Sequence, residues 1–123
     1  MENWRQKLKE EAEKIAKECN YEGWNGYDAL PIKSSSLENT IRLIKLLPRK
    51  IQIPDICPEP NGQIGLEWHP KKGTILSLSA YNDIISYAAI LGPQCKKYGE
   101  EPFTDIIPKT IEDIITNYFS NKD

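Results

Sequence analysis

Apolar and polar residues alternate with a period of two through the middle of the chain, from Ile64 to Leu91. Successive side chains of a β-strand point to opposite faces of a sheet, so this pattern predicts half-buried strands. Two turn-rich segments, residues 70–73 and 81–83, divide the run and have the length of hairpin connections. The sequence therefore predicts three antiparallel strands. Residues 51–60 hold three prolines and suit an extended connection or an edge strand, which gives a meander of three to four strands.

Amphipathic helices are predicted on both sides of this run. Apolar residues recur at helical spacing from Trp4 to Cys19, from Leu37 to Leu47 just before a proline, and from about Pro108 to Phe119. Ser35 and Glu38 have the spacing of a capping box at the start of the second helix.

The helices and the sheet need each other to bury their apolar surfaces. In the last helix we expect Ile111, Ile114, Ile115 and Tyr118 to turn inward. A small sheet needs one face covered, and amphipathic helices have stripes to cover it. We therefore expect residues 1–123 to form a single α+β domain, with two N-terminal helices, an antiparallel meander and a C-terminal helix packed on one sheet face.

Charge and cysteine content disfavour several classes of function. The 123 residues include 16 Lys and Arg against 18 Asp and Glu, so there is no positive excess to hold a nucleic acid. Cys19, Cys57 and Cys95 are widely spaced and odd in number, as expected of reduced thiols. We find no secretion signal, bilayer-spanning stretch or cluster of metal ligands, so we expect a cytoplasmic protein without a metal, a cofactor or a membrane partner.

Three aromatic rings and two glycines lie close together in residues 21–32, which we call the aromatic loop. Glycine is used where the backbone needs a positive φ or a close approach, and Trp and Tyr bring a large apolar area with a polar group. In one interpretation Trp24 and Tyr27 stack on a flat ligand while Asp28 accepts a hydrogen bond from it. In the other, the rings fix the loop on the core and Asp28 bonds to its own backbone amides.

A second group of candidates lies at the end of a predicted strand. If Trp68 points inward, Glu67 and His69 share the opposite sheet face with Ser77 and Ser79. A serine, a histidine and an acid on one face are compatible with a hydrolase, although no nucleophile elbow accompanies them. The same face has small residues. In one interpretation they leave the backbone open to a partner, and in the other the face is simply exposed to solvent.

Two motifs carry a resemblance to other proteins. Residues 23–31 read Gly-Trp-Asn-Gly-Tyr-Asp-Ala-Leu-Pro, and residues 58–68 read Pro-Glu-Pro-Asn-Gly-Gln-Ile-Gly-Leu-Glu-Trp. From Tyr21 to Leu91 the chain resembles a group of uncharacterised small bacterial and phage proteins with a G-W-[DN]-G-Y-x-A-x-P loop and a P-x-P-[DN]-G-x-I-x-L-E-W strand. The resemblance implies no activity. It implies a regulatory or interaction role in a mobile-element or defence-related setting.

Together these patterns favour a non-enzymatic cytosolic interaction protein that binds or sequesters a protein partner, through a sheet face or edge together with the aromatic loop. The expected binding residues are Trp24, Tyr27, Asp28, Glu67, Trp68, His69, Ser77 and Ser79. A second copy of the chain, paired at a sheet edge, is another expected partner. The alternative is a small nucleotide-like ligand in a cleft lined by Trp24, Tyr27 and Trp68. The third hypothesis is a weak hydrolase that uses Glu67 and His69.

Overall fold

The computed structural model describes residues 3–120, which form three helices and five strands. In chain order these are α1 (Trp4–Glu18), α2 (Ser34–Leu46), β1 (Asp55–Pro58), β2 (Ile64–Lys71), β3 (Thr74–Tyr81), β4 (Ile84–Leu91), β5 (Lys96–Pro102) and α3 (Lys109–Tyr118). The α+β class with an antiparallel sheet is confirmed. Within residues 3–120, none of the helices combines the length and the apolar character needed to cross a bilayer.

The sheet is a meander in which the strands lie side by side in chain order, each antiparallel to the next. Two-residue turns join β2 to β3 and β3 to β4, as the sequence predicts, and Asn82 takes the positive φ of 52° that such turns require. The sheet has five strands rather than three to four. The sequence predicts no strand between Leu91 and Pro108, where β5 lies, because an exposed edge strand does not need the apolar alternation that reveals a half-buried one.

All three helices pack on one face of the sheet, which we call the inner face. The side chains that point inward from β2, β3 and β4 are buried in one cluster with residues of the helices. α2 contacts β2 and β3, and α1 contacts α2 and β1. α3 adds Ile111, Ile114 and Ile115 to the same cluster, and the Phe119 ring that follows α3 lies 6.3 Å from the ring of Trp68.

Two details at the helix ends differ from the prediction. The predicted capping box of Ser35 and Glu38 does not form, because α2 begins at Ser34, two residues earlier than a Ser35 cap requires, and Lys33 takes the N-cap position without a side-chain hydrogen bond. Tyr118 was predicted to face the core but is 45% exposed. Phe119 takes the inward position instead, since adjacent helical residues point about 100° apart.

The aromatic loop is fastened to the turn between β1 and β2. The amide of Leu30 donates to the Pro60 carbonyl at 2.8 Å, and the amide of Lys33 donates to the Gly62 carbonyl at 3.0 Å. Gly62 has a φ of +91°, and a Cβ built there would lie only 2.9 Å from the Pro31 carbonyl oxygen. The backbone of the loop is therefore in close contact with the backbone of the turn.

Replacing Gly62 tests this contact. Gly73 is a matched control, because it has a similar φ of +85° in a turn with no atom near its Cβ position. We expect Gly73→Ala to lower the free energy of unfolding by about 1 kcal/mol, the cost of a positive φ, and Gly62→Ala by about 2 kcal/mol or more. Urea denaturation measures both. Equal losses in the two variants would show that the loop does not press on the turn.

Candidate functional site

The face of the sheet opposite the helices, which we call the outer face, is the best candidate for a functional surface. Its central side chains are small: Ser77 and Ser79 on β3 and Ser86 and Ala88 on β4, in register with one another. Because residues alternate along each strand, these side chains point away from the helices that cover the inner face. The outer face therefore leaves the sheet backbone open to approach.

Polar side chains from β1, β2 and β3 bond to one another on this face. The Cys57 thiol donates to Glu67 Oε2 at 3.4 Å, and the other oxygen of Glu67 pairs with His69 Nε2 at 3.1 Å. The Ser79 hydroxyl donates to Glu59 Oε1 at 2.9 Å. We call these five residues the polar cluster. Glu67, His69 and Ser79 were singled out from the sequence, whereas Cys57 and Glu59 were not.

Two members of the polar cluster, Cys57 and Glu59, have a raised pKa. Burial, the hydrogen bond to Glu67 and the nearby carboxylates raise the pKa of Cys57 to about 12. Burial raises the pKa of Glu59 as well, against the opposing effect of the Ser79 hydrogen bond. At pH 7 the Cys57 thiol is therefore protonated. This cysteine therefore serves as a hydrogen-bond donor and is a poor nucleophile.

The arrangement does not resemble a hydrolase site. In the serine, histidine and acid arrangement that the sequence suggested, the nucleophile contacts a histidine that takes its proton. Here Glu67 lies between Cys57 and His69, and Ser79 bonds to Glu59. Within residues 3–120, His69 bonds to no serine, and no three His, Cys, Asp or Glu side chains are arranged to hold a metal ion.

In the aromatic loop, one ring packs against the core and another is exposed to solvent. Trp24 is half-buried against the core, and its Nε1 donates to the Leu30 carbonyl at 2.7 Å. Asn25 Oδ1 accepts from the amides of Tyr27 and Ala29, so Asn25 makes the turn that one of the two interpretations gave to Asp28. Tyr27 is 85% exposed. Trp24 thus fixes the loop, while Tyr27 and Asp28 lie at the surface.

Trp68 belongs to the core rather than to a binding surface. It is 1% exposed on the inner face, and its Nε1 donates to the Gln52 carbonyl at 2.7 Å. The alternation of β2 places its ring on the side opposite Glu67. In this position Trp68 offers no surface to a ligand, so the structure does not form the predicted cleft with Trp24 and Tyr27.

A shallow apolar groove on the outer face was not predicted. It has a volume of about 290 Å³ and is lined chiefly by Ile75, Ala88, Ile90 and Tyr98, with the lysines at the start of β5 beside it. We call it the outer groove. Ile90 is 37% exposed and Tyr98 is 82% exposed. The signal in the sequence was that Ile75 and Ile90 break the alternation by placing an apolar residue on the polar side.

Three lysines lie next to the outer groove. Lys71, Lys72 and Lys96 line a neighbouring depression of about 610 Å³, which we call the basic corner. Within the described part of the chain these three lysines form no ion pair. The aromatic loop lies at the other end of β2, so it is separate from this corner.

Two substitutions in the aromatic loop separate packing from exposure. We expect Trp24→Ala to lower the free energy of unfolding by about 2–3 kcal/mol, because it removes a half-buried ring and its hydrogen bond. Tyr27→Ala should change it by less than about 0.5 kcal/mol, since the ring is exposed. Chemical denaturation gives both values. A Trp24→Ala protein as stable as the wild type would refute the packing role.

Alkylation of Cys57 tests the polar cluster. We expect iodoacetamide to label Cys57 slowly, at a rate that keeps rising with pH well above the ordinary thiol pKa of 9.0, because the thiolate forms only near pH 12. Glu67→Gln should speed the labelling, and Glu38→Gln on the exposed side of α2 should not. Mass spectrometry of digested protein locates the label. Rapid labelling of the wild type at neutral pH would mean that Cys57 is a reactive nucleophile.

Comparison with known proteins provides no relative from which a function could be transferred. No family model, no curated protein and no solved structure matches this chain. Any functional conclusion therefore depends on the geometry of the outer face.

Proposed function

We propose that this protein is a non-enzymatic binding protein that holds a protein partner on the outer face of its sheet. The observation that carries the proposal is the outer groove, where large apolar side chains lie exposed on a face that no described helix covers. Exposed apolar surface rimmed by polar groups is typical of sites where proteins bind one another.

The size and shape of the groove favour a protein over a small molecule. Pockets for small molecules are usually deep and enclose most of the ligand's surface. The outer groove is open and small, at about 290 Å³, and it continues onto a flat surface of small side chains. A strand or helix of a partner can lie across such a surface and place one or two apolar side chains in the groove.

The charges indicate which partner chemistry fits. Lys96 lines both the outer groove and the basic corner, where Lys71 and Lys72 lie beside it. An acidic segment that carries an aliphatic or aromatic side chain would satisfy both features, with the apolar side chain in the groove and carboxylates near the lysines. At the other side of the outer face, Glu59 and Glu67 would repel the same acidic segment. The partner would therefore bind in one preferred orientation.

The polar cluster supports a binding role over a catalytic one. Its hydrogen bonds join β1, β2 and β3 and leave the Cys57 thiol protonated. We therefore assign the cluster to holding the edge of the outer face in shape. A cluster with this role needs no reactive group.

A charged residue in the groove tests the proposal. Ile90→Asp places a carboxylate in the outer groove, and Ile106→Asp makes the same change at an isoleucine that is 73% exposed outside it. The tagged proteins are purified gently from their own host, and polypeptides that co-purify with the wild type are quantified. We expect Ile90→Asp to reduce recovery of a specific polypeptide about tenfold, as for a central interface residue, while Ile106→Asp retains it.

Melting curves of both variants control for folding. Equal recovery with Ile90→Asp and wild type would place the partner on another surface. If no polypeptide accompanies the wild type and native mass spectrometry instead finds a small molecule that denaturation releases, the ligand hypothesis replaces this one.

A further inference from the structure

We infer that the exposed edge of β5 pairs with the same edge of a second copy of the chain, so that two five-stranded sheets join into one across a two-fold axis. This inference goes beyond the proposed function, because it concerns a sheet edge instead of the outer face. It depends on three properties of the edges: which backbone groups are free, how the opposite edge is blocked, and how charge is arranged along β5.

The hydrogen bonds at the two ends of β5 determine which of its backbone groups are free. The amide of Leu91 donates to the Cys95 carbonyl at 2.8 Å, and the amide of Phe103 donates to the Asp83 carbonyl at 2.7 Å. Antiparallel strands exchange hydrogen bonds at every second residue. Lys97, Gly99 and Glu101 therefore bond to β4. The intervening residues, Lys96, Tyr98 and Glu100, direct their amides and carbonyls away from the sheet.

The opposite edge of the sheet is blocked against such pairing. The amide of Glu59 donates to the Gln63 carbonyl at 2.8 Å, so by the same alternation residues 54, 56 and 58 face outward from β1. Two of these are Pro54 and Pro58, which have no amide hydrogen to donate. β1 thus offers one outward amide, that of Ile56, whereas β5 offers three in a row. Prolines on an edge strand are a common protection against pairing, and β5 has none before its last residue.

The sequence of β5 is complementary to itself in one antiparallel arrangement. It reads Lys-Lys-Tyr-Gly-Glu-Glu-Pro, with two cations before the central glycine and two anions after it. A two-fold axis at Gly99 places Lys97 of each copy directly opposite Glu101 of the other. It also pairs the outward groups of Tyr98 with those of Glu100. Opposite charges on facing residues stabilise a strand pair, whereas a parallel arrangement would set like charges against each other.

The register at Gly99 also fits the space available. Gly99 is covered on the inner face by the Tyr87 side chain, and a Cβ at this position would lie 3.1 Å from the Tyr87 hydroxyl oxygen. Facing residues that share no hydrogen bonds, as the two Gly99 residues would be, come closest together, at about 4.5 Å between Cα atoms. Glycine on both strands at the axis allows this approach. An interface of one strand per copy is small, so we expect a weak, reversible dimer.

Charge reversal tests both the pairing and its register. Sedimentation velocity is measured from roughly 1 µM to 1 mM, the range in which a weak dimer dissociates. We expect the wild type to dimerise, and Lys97→Glu and Glu101→Lys each to weaken the dimer about tenfold or more, because each sets two like-charged pairs across the axis. The double variant Lys97→Glu/Glu101→Lys should restore it. Lys14→Glu makes the same charge change on the exposed side of α1, away from β5, and should have no effect.

A pair of substitutions at Tyr98 separates backbone pairing from side-chain contacts. Tyr98→Pro removes an outward amide hydrogen and leaves the bonds to β4 intact, so it should abolish the dimer without lowering the melting temperature greatly. Tyr98→Ala keeps the amide and should retain the dimer. A monomeric wild type over the whole range would overturn the inference. So would loss of the dimer in Tyr98→Ala, or a double charge variant that stays monomeric.

Discussion

Burial of the inner face of the sheet is the interaction on which the rest of the structure depends. Leu66, Leu78 and Ile85 on neighbouring strands are completely buried, and Trp68 is nearly so. Each large apolar side chain removed from water contributes roughly 1.5–3 kcal/mol, and three helices are needed to supply the other half of this core. Because all three helices pack on the inner face, none is left to cover the outer one. The openness of the outer face is thus a direct consequence of where the core lies.

The helices leave the outer face and the edges of the sheet open, and both are less protected near β5 than near β1. On the outer face, serines and the polar cluster keep the region near β1 hydrated and held by hydrogen bonds. Near β5 the same face carries Ile90 and Tyr98, whose exposed side chains lie beside each other at the outer groove. The edges show the same asymmetry, with prolines along β1 and free amides along β5. Both proposals therefore concern the same side of the molecule, and a dimer joined at β5 would bring two outer grooves near one axis.

The parts of the fold that the sequence predicted well are those in which one side of an element is buried. The period of two from Ile64 to Leu91 and the apolar stripes of the helices arise from burial on one side, and the strands and helices lie where these patterns place them. β5 was missed because an exposed edge strand is specified by hydrogen bonds to β4, which no local pattern of side chains records.

The sequence also left the placement of some candidate site residues open, for a related reason. Trp68 was singled out as a binding residue although its own alternation places it inward, and Asn25 was passed over for Asp28 because a turn-forming side chain can be either. The pairing of Glu67 with His69 followed from their positions two residues apart on one strand. The sequence marked Ile75 and Ile90 as breaks in the alternation but not the outer groove itself, since these residues and Tyr98 come together only through the register of three strands.

Residue-resolved hydrogen exchange of the amides of β5, measured by NMR in dilute solution, most directly tests the central claim that this side of the sheet is open. We expect slow exchange at Lys97, Gly99 and Glu101, whose amides bond to β4, and fast exchange at Lys96, Tyr98 and Glu100, whose amides face solvent. Uniform protection along β5 at a concentration where the protein is monomeric would mean that another segment already covers the edge. Uniform fast exchange would mean that β5 does not belong to the sheet, and either result would contradict the open surface that we describe.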